Sequence, residues 1–319
     1  MGAVINIEIT QNDGGQRLDR FLRKYLPNAP LSFIYKVLRK DVKVNGKRGK
    51  AEQKLEEGDR LSLFIDQALV EEYGRKQKGR GAKKTFAVVY EDGDFFVANK
   101  PYGLLTHGDG KEKKNHLANQ VVDYLIEKGD YNPREEKTFI PAPANRLDRN
   151  TTGVVVFGKN AEAQRKLAKA IREGQAEKYY LTIVRGEIKE KLLFEGTMTK
   201  EEGKNRVKVA GPESEGKLMK TQVEPLKRGN GYTLLKVRIF TGRTHQIRAQ
   251  LAAAGYPVIG DRKYGDEKVN QRMLKEFGLK DQLLHALEIK VCGITAKAEE
   301  PPRFKEIEKG LFGERKSRE

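Results

Sequence analysis

One cysteine, Cys292, stands in 319 residues that include no tryptophan, four methionines and four histidines. A lone thiol excludes an intrachain disulfide and a thiolate metal cluster, and it reads as an ordinary buried side chain. His107, His116, His245 and His285 show no i, i+4 pair on one helix, so the spacing of a zinc site is missing too. No apolar run approaches the roughly 20 residues that span a bilayer. The first residues have neither a signal-peptide core nor the Ser or Thr of a myristoylation motif. A soluble, cytoplasmic chain that binds no metal is the expectation. Gly79-Arg80-Gly81 is too short a pattern for a phosphate loop.

What the chain does have is positive charge. Lys and Arg number 63 against 45 Asp and Glu, a formal net charge of +18, and the pI is near 9.7. An excess of this size implies a polyanionic partner, with nucleic acid the best fit; the alternative is a merely solvated basic surface. The length allows two domains, while 37% hydrophobic residues and a mean hydropathy of -0.71 predict a large solvated surface and one small domain.

Residues 5–10 alternate like a strand, and Leu18, Phe21, Leu22 and Leu26 recur at helical spacing until Pro27. A second helix is expected from Ser32 as N-cap, with Ile34, Val37 and Leu38 on one side and Lys36, Arg39 and Lys40 on the other. Val42, Val44, Leu55, Leu61, Leu63 and Ile65 suggest short strands joined at Asn45-Gly46 and Glu57-Gly58-Asp59. Residues 1–70 thus form a small α/β module. Residues 71–84, glycine-broken and cationic, read as a flexible linker on which that module would swing. Residues 85–311 carry mixed signals: strands around Asp92-Gly93, at 179–184, 221–226 and 233–239, and helices from Leu117 and after Asn160. Residues 312–319 form a charged tail. Periodicity supports an α+β class and no more.

One stretch concentrates chemistry. In Asn145-Arg146-Leu147-Asp148-Arg149-Asn150-Thr151-Thr152-Gly153 a carboxylate sits between two arginines and leads into the apolar strand Val154-Val155-Val156-Phe157. Flanking guanidinium charge favours an ionised Asp148, ready as a nucleophile or a base.

That stretch resembles the motif His-Arg-Leu-Asp-x-x-Thr-Ser-Gly of the RluA-type RNA pseudouridine synthases, with Asn145 in place of His and Thr152 in place of Ser. Lys178-Tyr179-Tyr180 is similar to the family's Lys-x-Tyr strand. Gly242-Arg243-Thr244-His245-Gln246-Ile247-Arg248, continuing to Gly260-Asp261, matches a third segment, and Leu284-His285-Ala286 a shorter one. The loop Asn99-Lys100-Pro101-Tyr102-Gly103 resembles the family's Asn-Lys-Pro-x-Gly core. The similarity spans roughly residues 86–290.

The resemblance implies a strand-rich mixed domain with a curved, largely antiparallel sheet and a central cleft. It implies an isomerase that uses no cofactor and no metal. By the same match Asp148 is the catalytic carboxylate, Arg248 its bidentate partner and Tyr180 a stacking face whose hydroxyl takes part in proton transfer. Ile247 and Leu284 become apolar pocket walls. Arg146 either fills the space left by an everted nucleotide or contacts phosphate. His245 reads as a structural hydrogen-bonder rather than a base. Helix, strand and turn in residues 16–66 resemble the RNA-binding module first named for the small-subunit ribosomal protein S-four, which would make Lys36, Arg39, Lys40, Lys43, Lys47 and Arg48 the RNA-gripping cations. Large-subunit ribosomal RNA is the favoured partner, transfer RNA the alternative, and the enzyme is expected to be a monomer. Two other classes compete: a ribosome-associated binding protein without turnover, and a glycoside hydrolase, which would need two cooperating carboxylates.

Overall fold

The spacing of apolar residues before residue 65 is realised as a four-stranded antiparallel sheet packed with two helices. The strands are β1 (Ile5–Glu8), β2 (Val42–Val44), β3 (Lys47–Arg48) and β4 (Arg60–Leu63), in the order β1-β4-β2-β3. Helices α1 (Leu18–Tyr25) and α2 (Leu31–Lys40) turn Phe21, Leu22, Ile34 and Val37 into one buried cluster with Val42, Leu61 and Leu63. Asn45 and Gly46 take left-handed φ values of 51° and 77°, the pair a two-residue hairpin turn requires. Pro30, not Ser32, is the N-cap of α2, with no side-chain cap bond. The fixed proline φ starts the helix before the serine is reached.

The computed structural model describes residues 4–74, 81–200 and 206–313. Helix α3 (Gln67–Tyr73), capped by Asp66 accepting from the Ala68 amide at 2.9 Å, continues into the segment expected to begin a linker. Residues 75–80 of that linker, and the tail from 314 on, lie outside the described residues.

The chain resolves into two units: Met1–Lys84 with Ala118–Ala142 and Gly158–Arg165, and Thr85–Leu117 with Pro143–Phe157 and Lys166–Glu319. Within the first, fully buried Asp13 accepts from the Thr138 hydroxyl at 2.8 Å, Gln16 donates to the same hydroxyl at 3.0 Å, and Asn12 accepts from the Ala161 amide at 2.9 Å. These bonds tie the turn after β1 to segments more than a hundred residues later, which opposes a module swinging on a linker alone.

The second unit is built on a ten-stranded sheet. Its strands are β5 (Ala87–Glu91), β6 (Phe95–Lys100), β7 (Thr152–Gly158), β8 (Glu177–Arg185), β9 (Leu192–Lys200), β10 (Val207–Ala210), β11 (Lys217–Gly229), β12 (Tyr232–Ile239), β13 (Leu284–Val291) and β14 (Ile294–Lys297). The order is β10-β9-β11-β12-β8-β13-β7-β6-β5, with β14 on β13. Registered pairs are antiparallel apart from β7 and β13, which run parallel at Thr152 and Gly153. This is the expected mixed, largely antiparallel architecture. Helix α4 (Leu117–Lys128) lies almost wholly in the first unit, and α5 (Ala161–Arg172) begins there. Helices α6 (Gln246–Ala253), α7 (Glu267–Phe277) and α8 (Pro302–Phe312) belong to the second.

Cys292 is exposed, against the expectation of a buried thiol. With φ values of 51° and 83°, Cys292 and Gly293 form the tight turn between β13 and β14, and a two-residue turn has no room to fold its side chains inward.

The parallel junction of β7 and β13 depends on Gly153. Its φ is 110°, and a Cβ there would stand 2.0 Å from the Ala286 carbonyl oxygen. Gly153→Ala combines a conformation closed to L residues with a backbone collision, so it should destabilise the protein by about 2–5 kcal/mol in urea unfolding. Wild-type stability in that variant would contradict the junction described.

Candidate active site

Asp148 lies on the loop entering β7, and that loop is stitched in place by its neighbours. Asn145 imitates a strand residue: its Nδ2 donates to the Val154 carbonyl at 3.2 Å and its Oδ1 accepts from the Val156 amide at 2.9 Å. The Thr106 hydroxyl donates to the Leu147 carbonyl at 3.0 Å and accepts from the Leu147 amide at 3.2 Å. Thr152, where the family motif has Ser, keeps a hydroxyl 2.8 Å from His285 Nδ1.

Lys100 is fully buried beneath the same loop. Its Nζ donates to the carbonyls of Pro101, Leu104 and Arg149 at 3.1, 2.7 and 2.9 Å. Burial pushes the ammonium down to about 7, while the Asp148 charge pulls it back up. Three carbonyl acceptors match the three N–H bonds of the charged form.

Arg248, near the start of α6, is buried and contacts two carboxylates. Its Nη1 donates to Asp148 Oδ2 at 2.7 Å, while its Nε and Nη2 donate to Asp261 Oδ2 and Oδ1 at 2.6 and 2.9 Å. The bidentate partner is therefore Asp261, not Asp148. Asp261 takes one whole edge of the guanidinium, and Asp148 receives a single hydrogen bond, from Nη1. Burial alone would raise the Asp261 carboxyl, but Arg248 and the amides of Lys263 and Tyr264 outweigh it and hold it below the usual carboxylate range. Burial likewise opposes the Arg248 cation, and the two carboxylates more than offset that.

Tyr180 is buried on β8, opposite Ala286 and Val237 of the neighbouring strands. Burial raises its phenol well above the ordinary value, and the Asp148 charge adds to the effect. Asp148, Tyr180, Arg248, Ile247 and Leu284 line one cleft, with Arg146 exposed at its edge. The structure thus brings these six together. A wider groove continues past Arg146 and Arg149 to Arg243, Arg262 and Lys263.

His245 stands in the left-handed region at the N-cap of α6, its Nδ1 3.0 Å from the Tyr264 hydroxyl and its Nε2 4.0 Å from Asp148. Burial lowers its imidazole and keeps it neutral near pH 7 despite the carboxylate. Lys36, Arg39, Lys40, Lys43, Lys47 and Arg48 lie in the other unit, on α2 and the hairpin after it, and all six are exposed. Among the described residues no three of His, Cys, Asp and Glu converge as a metal-ligand set.

Sequence reading assigned no role to Asp261, Lys100 or Thr106, although the first two stand in quoted segments. A Gly-Asp or Lys-Pro pair signals a turn, not a buried charge.

Asp261 holds Arg248 from a position without solvent exposure, so Asp261→Asn should cost about 3–5 kcal/mol at pH 7 by leaving a buried cation half-paired. Because the folded-state carboxyl is depressed, its contribution is present above the unfolded value of about 3.9 and drains away as pH falls through the folded value. Urea unfolding of both proteins should show a gap at pH 7 that narrows below about pH 4; a gap constant with pH would contradict the pairing.

The family model described as RNA pseudouridylate synthase matches residues 94–253. Ribosomal large subunit pseudouridine synthase C of Salmonella typhi is 34% identical over 291 residues, covering 89% of this chain and 87% of that protein, and the protein of that name from Escherichia coli K12 gives the same figures. Among solved structures, human RNA Pseudouridylate Synthase Domain Containing 4 shares the fold with a TM-score of 0.56 at 20% identity, covering 69% of this chain and 90% of that one. The chain belongs to the RNA pseudouridine synthases of the RluA family, isomerases that turn uridine in RNA into pseudouridine.

Proposed function

We propose that this isomerase acts on uridines of large-subunit ribosomal RNA, in the cytoplasm and as a monomer, with Asp148 as its catalytic carboxylate. The observation that carries the assignment of Asp148 is its 2.7 Å bond to Arg248 inside a cleft that Tyr180 also lines. Asp148, Arg248 and Tyr180 all come from this one chain. The name of the curated relatives, ribosomal large subunit pseudouridine synthase C, supports the choice of RNA.

The reaction breaks the bond from N1 to ribose, turns the uracil and rejoins it through C5, so atoms and electrons balance within the nucleotide. Asp148 acts at the sugar, by attack at C1′ or by removing a ribose proton. Its single hydrogen bond from Arg248 fixes one oxygen and leaves the other for substrate. Tyr180 stacks the freed uracil, and its hydroxyl relays the C5 proton. Ile247 and Leu284, both buried, keep water from the detached base. A stacked uridine must first be flipped out, at a cost of a few kcal/mol. Arg146, exposed at the cleft's edge, takes the vacated place or grips the neighbouring phosphate.

The first unit serves as an S-four-like RNA grip. Lys36, Arg39 and Lys40 leave α2 on the side opposite its buried Ile34, Val37 and Leu38, and Lys43, Lys47 and Arg48 extend that basic surface onto the hairpin. Such cations position RNA without reading its sequence.

Incubation with RNA tritiated at uracil C5 tests the carboxylate: the wild type should release tritium and Asp148→Asn none, and equal release from both would overturn the assignment. Large-subunit ribosomal RNA should release it and transfer RNA should not. Tyr180→Phe should slow release about 10²–10⁴-fold while RNA affinity holds. Replacing the six cations by alanine should flatten the salt dependence of RNA binding by about 0.7 per lost phosphate contact. An unchanged slope would make them a solvated face only.

A further inference from the structure

A second hollow adjoins the cleft and has no part in the isomerisation. It measures about 420 Å³, within the range of small-molecule pockets, and it shares Leu284 with the catalytic cleft. It also shares Asn150, Asp281 and Gln282 with the basic groove, so cleft, groove and hollow form one continuous surface. Leu279, Leu283 and Phe304 line it as buried apolar residues. Lys280 and Arg303, both exposed, supply cations at its margin.

Tyr102 is the unusual member. The residue is 56% exposed, yet its hydroxyl donates a hydrogen bond to Asp281, whose other oxygen lies 3.6 Å from Arg262. An exposed aromatic ring fixed beside an apolar hollow, with amide side chains and cations around it, offers what an unstacked base needs. The ring provides a stacking face, Asn150 and Gln282 provide edge donors and acceptors, and the cations suit phosphate.

We infer that this hollow receives a second base of the same RNA strand, close to the target uridine and stacked on Tyr102. The inference rests on the reading that the neighbouring cleft takes a uridine from RNA. It follows that the protein selects its RNA by two displaced bases rather than one, and that a uridine lacking a suitable neighbour is a poor substrate.

The test uses the full chain and a synthetic RNA hairpin around a mapped target uridine, tritiated at C5, with an abasic residue placed at each neighbouring position in turn. One position should raise KM about tenfold to a hundredfold, the worth of stacking one base on an aromatic ring. Tyr102→Ala should raise KM on intact RNA by a similar factor, and the two changes together should do little more than either alone. Tyr102→Phe, which keeps the ring and loses the bond to Asp281, should stay within a few-fold of wild type. Multiplying effects at every position, or a Phe variant as poor as the Ala variant, would overturn the inference.

A readout without turnover separates this proposal from its parent. With 2-aminopurine at the sensitive position, binding to the Asp148→Asn protein should quench fluorescence, and adding Tyr102→Ala should abolish the quench. Quenching without any tritium release by the wild type would sink the catalytic reading and keep the hollow. Release without quenching would do the reverse.

Discussion

The active site depends on one guanidinium divided between two carboxylates. Arg248 makes three hydrogen bonds to the two carboxylates, and Asp261 accepts two of them from a fully buried position. Asp261 is itself fixed: its Oδ1 also accepts from the amides of Lys263 and Tyr264, and its carbonyl accepts from Asn270 Nδ2 at 2.9 Å. Asn270 in turn accepts from the Gly260 amide at 2.8 Å, so α7 secures the turn, the turn secures the guanidinium, and the guanidinium aims Asp148. A buried ion pair contributes little net stability, because desolvation cancels most of the attraction. Its value here is geometric. The partly exposed carboxylate points where a rigid, buried partner directs it.

Beneath the loop the same principle recurs with a cation. Lys100 spends its donors on three carbonyls, one of which belongs to Arg149 directly after Asp148, and Thr106 clamps Leu147 directly before it. The backbone on both sides of Asp148 is thus fixed, so its side chain needs only one hydrogen bond to be oriented. Asp148 lies between a buried guanidinium and the field of a buried ammonium, which explains how a carboxylate partly withdrawn from water stays matched to positive charge.

Much of this was legible in the sequence, for identifiable reasons. Asp148, Tyr180, Arg248, Ile247 and Leu284 sit in short segments singled out by their resemblance to family motifs, and the structure sets all five around one cleft. Helix α2 was legible because its face alternates cleanly, with Ile34 and Val37 inward and Lys36 and Lys40 outward. Helix α6 was not, since every residue from Gln246 to Leu251 is buried and no stripe exists for a period to reveal. The short strand β10 buries only its first residue, so no alternation marks it. Asp261 was missed for a deeper reason: whether a charged side chain faces water or a buried guanidinium is decided by tertiary packing, which no local pattern encodes.

The electrostatics of the cleft also bear on the order of events under the proposed roles. Tyr180 is raised first by burial and then by the Asp148 charge, so in the resting enzyme the phenol keeps its proton firmly. When Asp148 bonds to the sugar or takes a proton from it, its negative charge is lost, and that part of the upward pressure on Tyr180 goes with it. The phenol becomes a better acid only after the carboxylate has acted. Release of its proton, to the detached uracil, is therefore favoured while Asp148 is engaged with the sugar; rejoining through C5 frees the carboxylate and restores its charge, and the phenolate then takes up the C5 proton. A single charge, set in place by Arg248, thereby serves both to start the reaction and, once restored, to favour return of a proton to Tyr180 at its last step.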